Sequence, residues 1–310
     1  MPMTNAAEYL ERTAARVPDK IAFSDASGSL TFGQLLTRAR ALGTVLAGLP
    51  GCKNAPVAVL TGRTVQSVAA LQGVLQSGNY YVPIDEQMPE ARMRRILTQV
   101  HARAIVFSES SRPDDALLQA RREQIIDLDP VYLLFTSGST GTPKGIVISH
   151  RAILDFTDWL TDFCGYTEHE VFGNQSPFYF DTSCKDLYQT LKLGATCVIL
   201  EKKFFALPLF LLQALDQHGV TAVNWATSAF HLAASSGALE RCVPHALRKI
   251  VVGGEALQAR YVNMWKRAIP EADLYNMYGP TETTVDCAAL HLTTSRSPSE
   301  KPAAICSCCC

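Results

Sequence analysis

Strands and helices are predicted to alternate along most of this chain. Strands are expected at residues 56–60 and 80–82, with helices at 65–76 and 90–100 after them. A second series of the same kind begins with a strand at residues 131–135. Strand–helix alternation produces βαβ units, in which consecutive strands run parallel. The pattern therefore predicts an α/β fold built around mainly parallel sheets.

The length of the chain allows two structured parts. Domains average about 150 residues, and this chain has 310. We expect a first α/β subdomain over residues 1–130 and a second over 131–290. The sequence is polar and irregular over residues 291–310, so a disordered tail is expected there.

Charge and hydropathy argue against several classes of protein. Lys and Arg number 28 and Asp and Glu 29, which gives a net charge of -1. The overall basic character of a nucleic-acid or membrane-surface binder is therefore missing. The start lacks the pattern of a secretory signal, and the most apolar run, 204–212, is shorter than the about 20 residues that span a bilayer. We expect a cytoplasmic protein with neither nucleic-acid nor membrane partners.

Residues 136–145 have the physical character of a phosphate-binding loop. Three glycines let backbone N–H groups turn inward, five hydroxyls add donors, and Lys144 adds positive charge. Gly145 follows the lysine where a Walker A loop has Ser or Thr, so this is a different kind of loop. A surface turn rich in Gly, Ser and Thr is the alternative. The residues assigned to phosphate binding are Thr136, Ser137, Gly138, Ser139, Thr140, Gly141, Thr142 and Lys144.

This loop resembles the phosphate loop of the adenylate-forming superfamily, which includes acyl-CoA synthetases, luciferases and amino-acid adenylation domains. Further segments that match in order are residues 80–85, 180–188, 251–256 and 275–284. The resemblance covers nearly everything from about residue 9 to residue 290. It implies the large N-terminal domain of these enzymes, with two mainly parallel sheets and helices in an αβαβα layering.

The last matching segment implies a nucleotide site. In the family its tyrosine lies against the adenine, its threonine contacts the α-phosphate and its glutamate helps to hold Mg²⁺. These positions are Tyr278, Thr281 and Glu282. The resemblance therefore implies ATP and Mg²⁺ as cofactors. The implied catalytic residues are Lys144, Thr281 and Glu282. Glu282 is the implied metal ligand, since Mg²⁺ on a polyphosphate takes one or two carboxylates. Further nucleotide contacts are expected from Gly254, Glu255, Asn276, Met277 and Gly279.

The segment that begins Phe-Asp-Thr-Ser indicates an amino-acid substrate. In amino-acid-activating members the aspartate of this motif pairs with the α-ammonium group, and Asp181 holds that place. A role as a helix N-cap is the alternative for Asp181. Lys185 and Asp286 are unusual in such a pocket, and they could recognise a polar side chain or neutralise each other. The walls implied by the resemblance are Asp181, Thr182, Lys185, Asn224, Val251, Gly253, Met277, Val285 and Asp286.

The resemblance implies a ligase that forms an aminoacyl-AMP and passes the aminoacyl group to the phosphopantetheine thiol of a carrier protein. The sequence around Asp181 and around Gly254 and Glu255 is similar to that of D-alanine–carrier-protein ligases. The side chain of Lys185, however, is long for a pocket that binds a small substrate. In the superfamily a C-terminal domain with a catalytic lysine follows, and none is recognisable after Leu290. We therefore expect a truncated ligase with impaired activity, or one completed by a separately encoded C-terminal domain. The alternative is a non-catalytic module that binds a nucleotide or an amino acid.

Histidine and cysteine give two weaker signals. His150 directly follows the strand after the phosphate loop, where a structural role or a minor role in orienting substrate is expected. Four cysteines, Cys306, Cys308, Cys309 and Cys310, crowd the end of the chain. Without histidine partners or C-x-x-C spacing they are weak evidence for a metal site, and an aberrant end is the favoured interpretation.

Overall fold

Two sheets with helices packed on their faces form the protein. The computed structural model describes residues 3–102, 104–106, 112–136 and 143–292. The strands are β1 (Ile21–Asp25), β2 (Gly28–Thr31), β3 (Pro56–Thr61), β4 (Tyr80–Asp85), β5 (Ala104–Val106), β6 (Pro130–Thr136), β7 (Lys144–Ser149), β8 (Val171–Asn174), β9 (Thr196–Ile199), β10 (Ala222–Ala226), β11 (Lys249–Gly253), β12 (Asp273–Tyr278) and β13 (Ala288–His291). The helices are α1 (Ala7–Arg16), α2 (Phe32–Gly48), α3 (Val65–Gln76), α4 (Glu90–Val100), α5 (Asp115–Arg122), α6 (His150–Cys164), α7 (Ser183–Leu193), α8 (Pro208–Gln217), α9 (Thr227–Ser235) and α10 (Ala259–Ala268).

Both sheets are parallel except at their ends. The larger one has the strand order β13-β12-β11-β10-β8-β9-β1-β2, and only its two terminal pairs, β12–β13 and β1–β2, are antiparallel. The smaller one has the order β5-β3-β4-β6-β7, and only β6–β7 is antiparallel. The predicted α/β fold with mainly parallel sheets is confirmed.

Five layers are stacked in the order helix, sheet, helix, sheet, helix. Helix α4 covers the outer face of the smaller sheet, and helices α8, α9 and α10 cover the outer face of the larger one. Helices α1, α2, α3, α6 and α7 fill the space between the sheets and contribute to the central core. Within the described ranges, none of the helices combines the length and the apolar character that crossing a membrane requires.

Consecutive apolar residues of the inner strands pack into different hydrophobic cores on the two faces of the sheet. In β3, Val57 and Val59 belong to the central core, whereas Ala58 belongs to the outer core beside α4. In β11, Val251 faces the central layer and Ile250 faces the outer helices. Side chains alternate between the two faces of a strand, so a strand covered on both faces needs an apolar residue at every position. This explains why these segments are continuously apolar.

Both sheets draw strands from both sides of residue 130. Strands β1 and β2 come from the first predicted part, but β1 pairs with β9 in the larger sheet. Strands β6 and β7 come from the second predicted part, but β6 pairs with β4 in the smaller sheet. The division of the chain at residue 130 stays a prediction, and the sheets do not follow it.

Candidate active site

The two segments expected to bind phosphate lie side by side. The 3₁₀ turn Thr281–Thr283 packs against β7, with Cα atoms within 8 Å. Strand β7 begins at Lys144, which pairs in register with Thr136 across the β6–β7 hairpin. The two ends of the predicted phosphate loop therefore lie beside the turn that carries Thr281 and Glu282. Residues 137–142 of that loop lie outside the described residues.

Lys144 and Glu282 present free charges at this place. Both residues are exposed, and neither forms an ion pair with another residue in the described part of the chain. An exposed ammonium and an exposed carboxylate suit a nucleotide whose phosphates also bind Mg²⁺. The donor set therefore fits Mg²⁺ held by Glu282 together with phosphate oxygens. No group of three or more His, Cys, Asp or Glu among the described residues is arranged to hold a metal ion without such a ligand.

Asp181 lies on the turn before α7, close to the phosphate-binding segments. The Thr281 hydroxyl lies beside its half-buried carboxylate. Burial raises the pKa of Asp181, while the Thr281 hydroxyl and the nearby Lys185 ammonium lower it. The N-cap position of α7 belongs to Thr182, and no side chain caps the helix there. The alternative that Asp181 caps this helix is therefore wrong.

Lys185 and Asp286 neutralise each other. Lys185 Nζ lies 2.6 Å from Asp286 Oδ2, and the two side chains are only 1% and 5% exposed. The contact is an ion pair without hydrogen-bond alignment, since Oδ2 accepts no well-oriented hydrogen bond from a described residue. Of the two alternatives for this pair, the structure shows mutual neutralisation.

Asn224 belongs to a buried hydrogen-bond network behind the candidate pocket. Its Nδ2 donates to Asp186 Oδ1 at 2.7 Å, and Tyr166 donates its hydroxyl to Asn224 Oδ1 at 3.0 Å. Asn174 Nδ2 donates to the other oxygen of Asp186 at 2.9 Å. Burial raises the pKa of Asp186 to about 6, and the two amide donors oppose that rise. Asp186 and Tyr166 were not predicted as part of the site, although an aspartate in the middle of a buried helical segment is a signal for such a network.

The turn that carries Asp286 packs tightly against the end of β12. A Cβ at Gly279 would lie 2.4 Å from Asp286 Cα, so only glycine fits there. Thr284 and Val285 have φ values of 61° and 71°, a left-handed conformation that is unfavourable for β-branched residues. The backbone N–H of Cys287 donates to Tyr278 O at 2.9 Å and fixes the return of the chain. Packing therefore holds Asp286 opposite Lys185.

The predicted adenine contacts lie at the ends of two paired strands. Gly253 at the end of β11 pairs with Met277 near the end of β12, so Gly254 and Tyr278 come next to each other. Tyr278 is 69% exposed, which leaves its ring free to stack on a base. Gly254 has φ +99°, a conformation that favours glycine.

The other predicted nucleotide contacts lie on the same strand ends. Glu255 is exposed and Asn276 is half-buried, whereas Met277 is buried among the pocket walls. The Thr227 hydroxyl donates to Gly253 O at 3.1 Å and to Glu255 O at 3.2 Å, which fixes the bend after β11. Thr227 was not predicted as part of the site.

His150 has a structural role. The backbone N–H of Ala6 donates to His150 Nδ1 at 3.1 Å, and the ring is fully buried. Burial lowers the pKa of His150 to about 4, so the ring is neutral at pH 7. Of the two expectations for His150, the structure therefore favours the structural one. The terminal cysteines lie outside the described residues.

Two cavities with shared lining residues lie beside the turn that precedes Asp181. The larger, of about 310 Å³, lies at the ends of β3 and β4 and is lined by Arg63 and Asp85, among others. The smaller, of about 210 Å³, shares Asp85 and Tyr179 with it and reaches Phe180. The predicted pocket walls do not line either of these two cavities.

Comparison with known proteins identifies the family. The family model of the AMP-binding enzymes matches residues 10–129 and 107–306. The chain belongs to the AMP-binding enzyme family. The resemblance to adenylate-forming enzymes predicted from the sequence is therefore confirmed.

Two relatives of this AMP-binding protein are carrier-protein ligases. It is similar to a D-alanine–D-alanyl carrier protein ligase of Bacillus licheniformis, with 28% identity over 92% of this chain and 60% of the relative. It is also similar to an L-proline–[L-prolyl-carrier protein] ligase of Pseudomonas fluorescens, with 28% identity over 92% of this chain and 62% of the relative. The chain thus spans about three fifths of the length of these relatives.

Solved structures show the same fold. The crystal structure of IdnL7 is similar at a TM-score of 0.81 and 26% identity, over 95% of this chain and 64% of that one. The structure of VinN with L-aspartate is similar at a TM-score of 0.79 and 19% identity, over 92% of this chain and 78% of that one. The second likeness concerns the fold alone.

Proposed function

We propose that this AMP-binding protein forms an aminoacyl-AMP from ATP and an amino acid for transfer to the phosphopantetheine thiol of a carrier protein. The observation that carries the proposal is the position of the Thr281 hydroxyl beside the Asp181 carboxylate. The residue proposed for the α-phosphate is thus a neighbour of the carboxylate proposed for the substrate amine. An amino acid held at Asp181 would therefore lie next to the reacting phosphate.

Each step of the proposed reaction exchanges one bond for another. The substrate carboxylate attacks the α-phosphorus, the bond from that phosphorus to the pyrophosphate oxygen breaks, and pyrophosphate leaves. In the second step the thiol sulfur attacks the acyl carbon, the carbon–oxygen bond to AMP breaks, and AMP leaves while the thiol proton passes to solvent. Both steps develop or move negative charge on phosphate oxygens, so stabilising this charge is the main catalytic demand.

The residues of this chain have separate roles in the proposal. Asp181 holds the α-ammonium group by a charge-assisted hydrogen bond, which selects amino acids over plain carboxylic acids. Lys144 and Thr281 donate to phosphate oxygens, and Glu282 holds Mg²⁺. When bound, Mg²⁺ supplies positive charge to the phosphates. The exposed ring of Tyr278 stacks on the adenine.

The relatives support the substrate class and the carrier. Their names, D-alanine–D-alanyl carrier protein ligase and L-proline–[L-prolyl-carrier protein] ligase, each combine an amino acid with a carrier protein. Because the chain spans about three fifths of their length, the complete reaction is part of the proposal.

Calorimetry and pyrophosphate exchange together test the proposal. The purified chain is titrated with Mg·ATP and with a panel of aminoacyl-sulfamoyl adenosines, and ATP–pyrophosphate exchange is then measured with the matching amino acids. We expect binding of at least one aminoacyl analogue, and exchange that depends on the same amino acid. Binding without exchange would favour the non-catalytic module, and failure of every analogue to bind would overturn the proposed function.

A further inference from the structure

Arg63 links the ends of strands from both sheets. It comes two residues after the end of β3, a strand of the smaller sheet. Its Nη1 donates to Leu200 O at 3.2 Å, and its Nη2 donates to Gln175 O. Leu200 directly follows β9 and Gln175 directly follows β8, and these two strands are paired in the larger sheet. One guanidinium therefore connects the carboxyl ends of three strands.

The guanidinium of Arg63 makes these contacts without a carboxylate partner. It is half-buried, and Arg63 forms no ion pair within the described part of the chain. The ring of Phe205 lies 5.7 Å from its guanidinium carbon. Arginine suits such a place because its rigid fork of N–H groups reaches two acceptors at once, whereas the lysine ammonium is a single point of charge. The geometry of the fork, and not only its charge, holds the two carbonyls.

Gln175 begins the segment that leads to Asp181, and we call residues 175–181 the amine loop. Arg63 holds the backbone oxygen of Gln175. The side chain of Gln175 is held as well, because the backbone N–H of Ala226 donates to Gln175 Oε1 at 3.2 Å. Ala226 is the last residue of β10 in the larger sheet. The start of the amine loop is thus fixed by a residue from each sheet.

The later part of the amine loop also lies against the smaller sheet. Tyr179 and Arg63 line the same cavity of about 310 Å³. The Tyr179 hydroxyl lies beside the carboxylate of Asp85, the last residue of β4. Burial raises the pKa of Tyr179 to about 12, so the phenol is neutral and keeps its proton as a donor. The position of Asp181 therefore depends on contacts that cross from one sheet to the other.

We propose that Arg63 is a positioning residue that places the Asp181 carboxylate where it meets the substrate amine. The proposed reaction needs this alignment, since Lys144 begins a strand of the smaller sheet whereas Asp181 and Tyr278 follow or end strands of the larger one. A hydrogen bond between charged groups is short, about 2.7–2.9 Å, so a small shift of the amine loop weakens it. This inference rests on the proposed function, because it assumes that Asp181 holds the substrate amine.

Two analogues that differ only in the amine measure this role. The probes are the aminoacyl-sulfamoyl adenosine of the panel that binds most tightly and the acyl analogue that lacks only its amine, which for alanyl is propionyl-sulfamoyl adenosine. Calorimetry gives the Kd of the second divided by the Kd of the first, and we call this quotient the amine ratio. It should be about 10–100 for the unmodified chain.

Arg63→Met removes the donor fork and keeps an unbranched side chain. We expect this variant to lower the amine ratio at least about fivefold, through weaker binding of the aminoacyl analogue. The Kd of the acyl analogue should stay within about twofold of its original value, because that analogue does not contact Asp181 through an amine. Arg63→Lys keeps the charge but not the fork, so its amine ratio should lie between those of Arg63→Met and the unmodified chain.

Arg121→Met is the matched control. Arg121 Nη2 donates to the backbone oxygen of Ala47 at 2.6 Å, so this arginine also holds a carbonyl. It lines a cavity with Asn54 and Gly78, where β3 and β4 begin, which is the opposite end of these strands from Arg63. Arg121→Met should leave the amine ratio unchanged. Urea unfolding followed by circular dichroism gives the stability of every variant beside its amine ratio.

The outcomes distinguish the two proposals. An unchanged amine ratio in Arg63→Met, or equal weakening of both analogues, would overturn the positioning role and leave the proposed function intact. If Arg63→Met does not fold, Arg63→Lys decides, since a full amine ratio in that variant would overturn the role of the fork. An amine ratio near one in the unmodified chain, or binding of no analogue, would overturn the proposed function and this inference with it.

Discussion

The hydroxyl oxygens of Tyr81 and Tyr188 lie 2.9 Å apart in the central core. Tyr81 belongs to β4 of the smaller sheet, and Tyr188 belongs to α7, the helix that carries Lys185. Both rings are fully buried, and burial raises the pKa of each phenol well above its ordinary value. Both tyrosines are therefore neutral, and one hydrogen bond ties the smaller sheet to the helix beneath the candidate pocket.

Replacing one tyrosine of this pair should lower the free energy of unfolding by more than half of the loss that replacing both causes. Tyr81→Phe leaves the buried hydroxyl of Tyr188 without its partner, so we expect a loss of about 1–3 kcal/mol in the free energy of unfolding. Tyr188→Phe should act similarly, and the double variant should lose less than the sum of the two. Urea unfolding followed by circular dichroism measures all three. Additive losses would show that the hydroxyls do not interact.

Asp181→Asn should weaken binding of the substrate amine while preserving the shape of the site. A hydrogen bond between charged groups contributes about 1.5–3 kcal/mol, so alanyl-sulfamoyl adenosine should bind about 10- to 100-fold more weakly. Propionyl-sulfamoyl adenosine, which lacks the amine, should bind both forms alike. Asp162→Asn, an exposed site on α6, is the control. Equal weakening for both analogues in calorimetry would mean that Asp181 does not meet the amine.

Glu282→Gln should weaken Mg·ATP but leave ATP without Mg²⁺ nearly unaffected. Loss of one carboxylate from the metal's surroundings commonly costs at least about tenfold in metal affinity. Glu271→Gln changes an exposed glutamate of the turn before β12 and provides the control. The measurement is calorimetric titration with ATP in the presence and absence of Mg²⁺. The same loss under both conditions would rule out Glu282 as the metal ligand.

His150 should make the fold sensitive to acid. Its pKa is lowered by burial to about 4 in the folded protein, from an ordinary value of 6.5. As pH falls through 6.5, the unfolded chain takes up a proton that the folded protein does not, so stability is lost between pH 6.5 and pH 4. The shift corresponds to about 3 kcal/mol.

His150→Gln should remove this contribution and leave ligand binding intact. The free energy of unfolding of both forms is measured by urea unfolding at pH 7 and at pH 4.5. The difference between the two forms is then compared at the two pH values. A difference that does not vary with pH would contradict the neutral, buried ring.

Helices and strands could be predicted from the sequence where their own residues show a clear hydrophobic pattern. Residues 65–76 and 90–100 are predicted as helices, and α3 and α4 have the same bounds. Helix α5 was missed because it is polar and only Leu118 is buried. Strand β8 was missed because it is four residues long, contains Gly173 and gains its stability from distant partners, β9 and β10.

Single site residues could be predicted where a motif contains them. Contacts between residues of separate motifs could not be predicted in this way. The matching motifs identified Asp181 and Thr281 individually, but their closeness depends on how the turn before α7 and the segment after β12 pack. For the same reason Lys185 and Asp286 had two alternatives until the fold brought them together. The carboxylate of Asp186 accepts hydrogen bonds from Asn174 on β8 and Asn224 on β10. These three residues are far apart in the sequence, so no local pattern predicts the network.

The pairing of β1 with β9 has a consequence for the order of folding. Phe23 pairs with Cys197, so the β1–β2 hairpin has no neighbouring strand in the larger sheet until β9 leaves the ribosome. Every strand of the smaller sheet precedes α6 in the chain, so that sheet can assemble earlier. We expect nascent chains arrested before β9 to be cleaved by protease within the hairpin, and longer ones to be protected. Strands β1 and β2 thus complete one end of the larger sheet late.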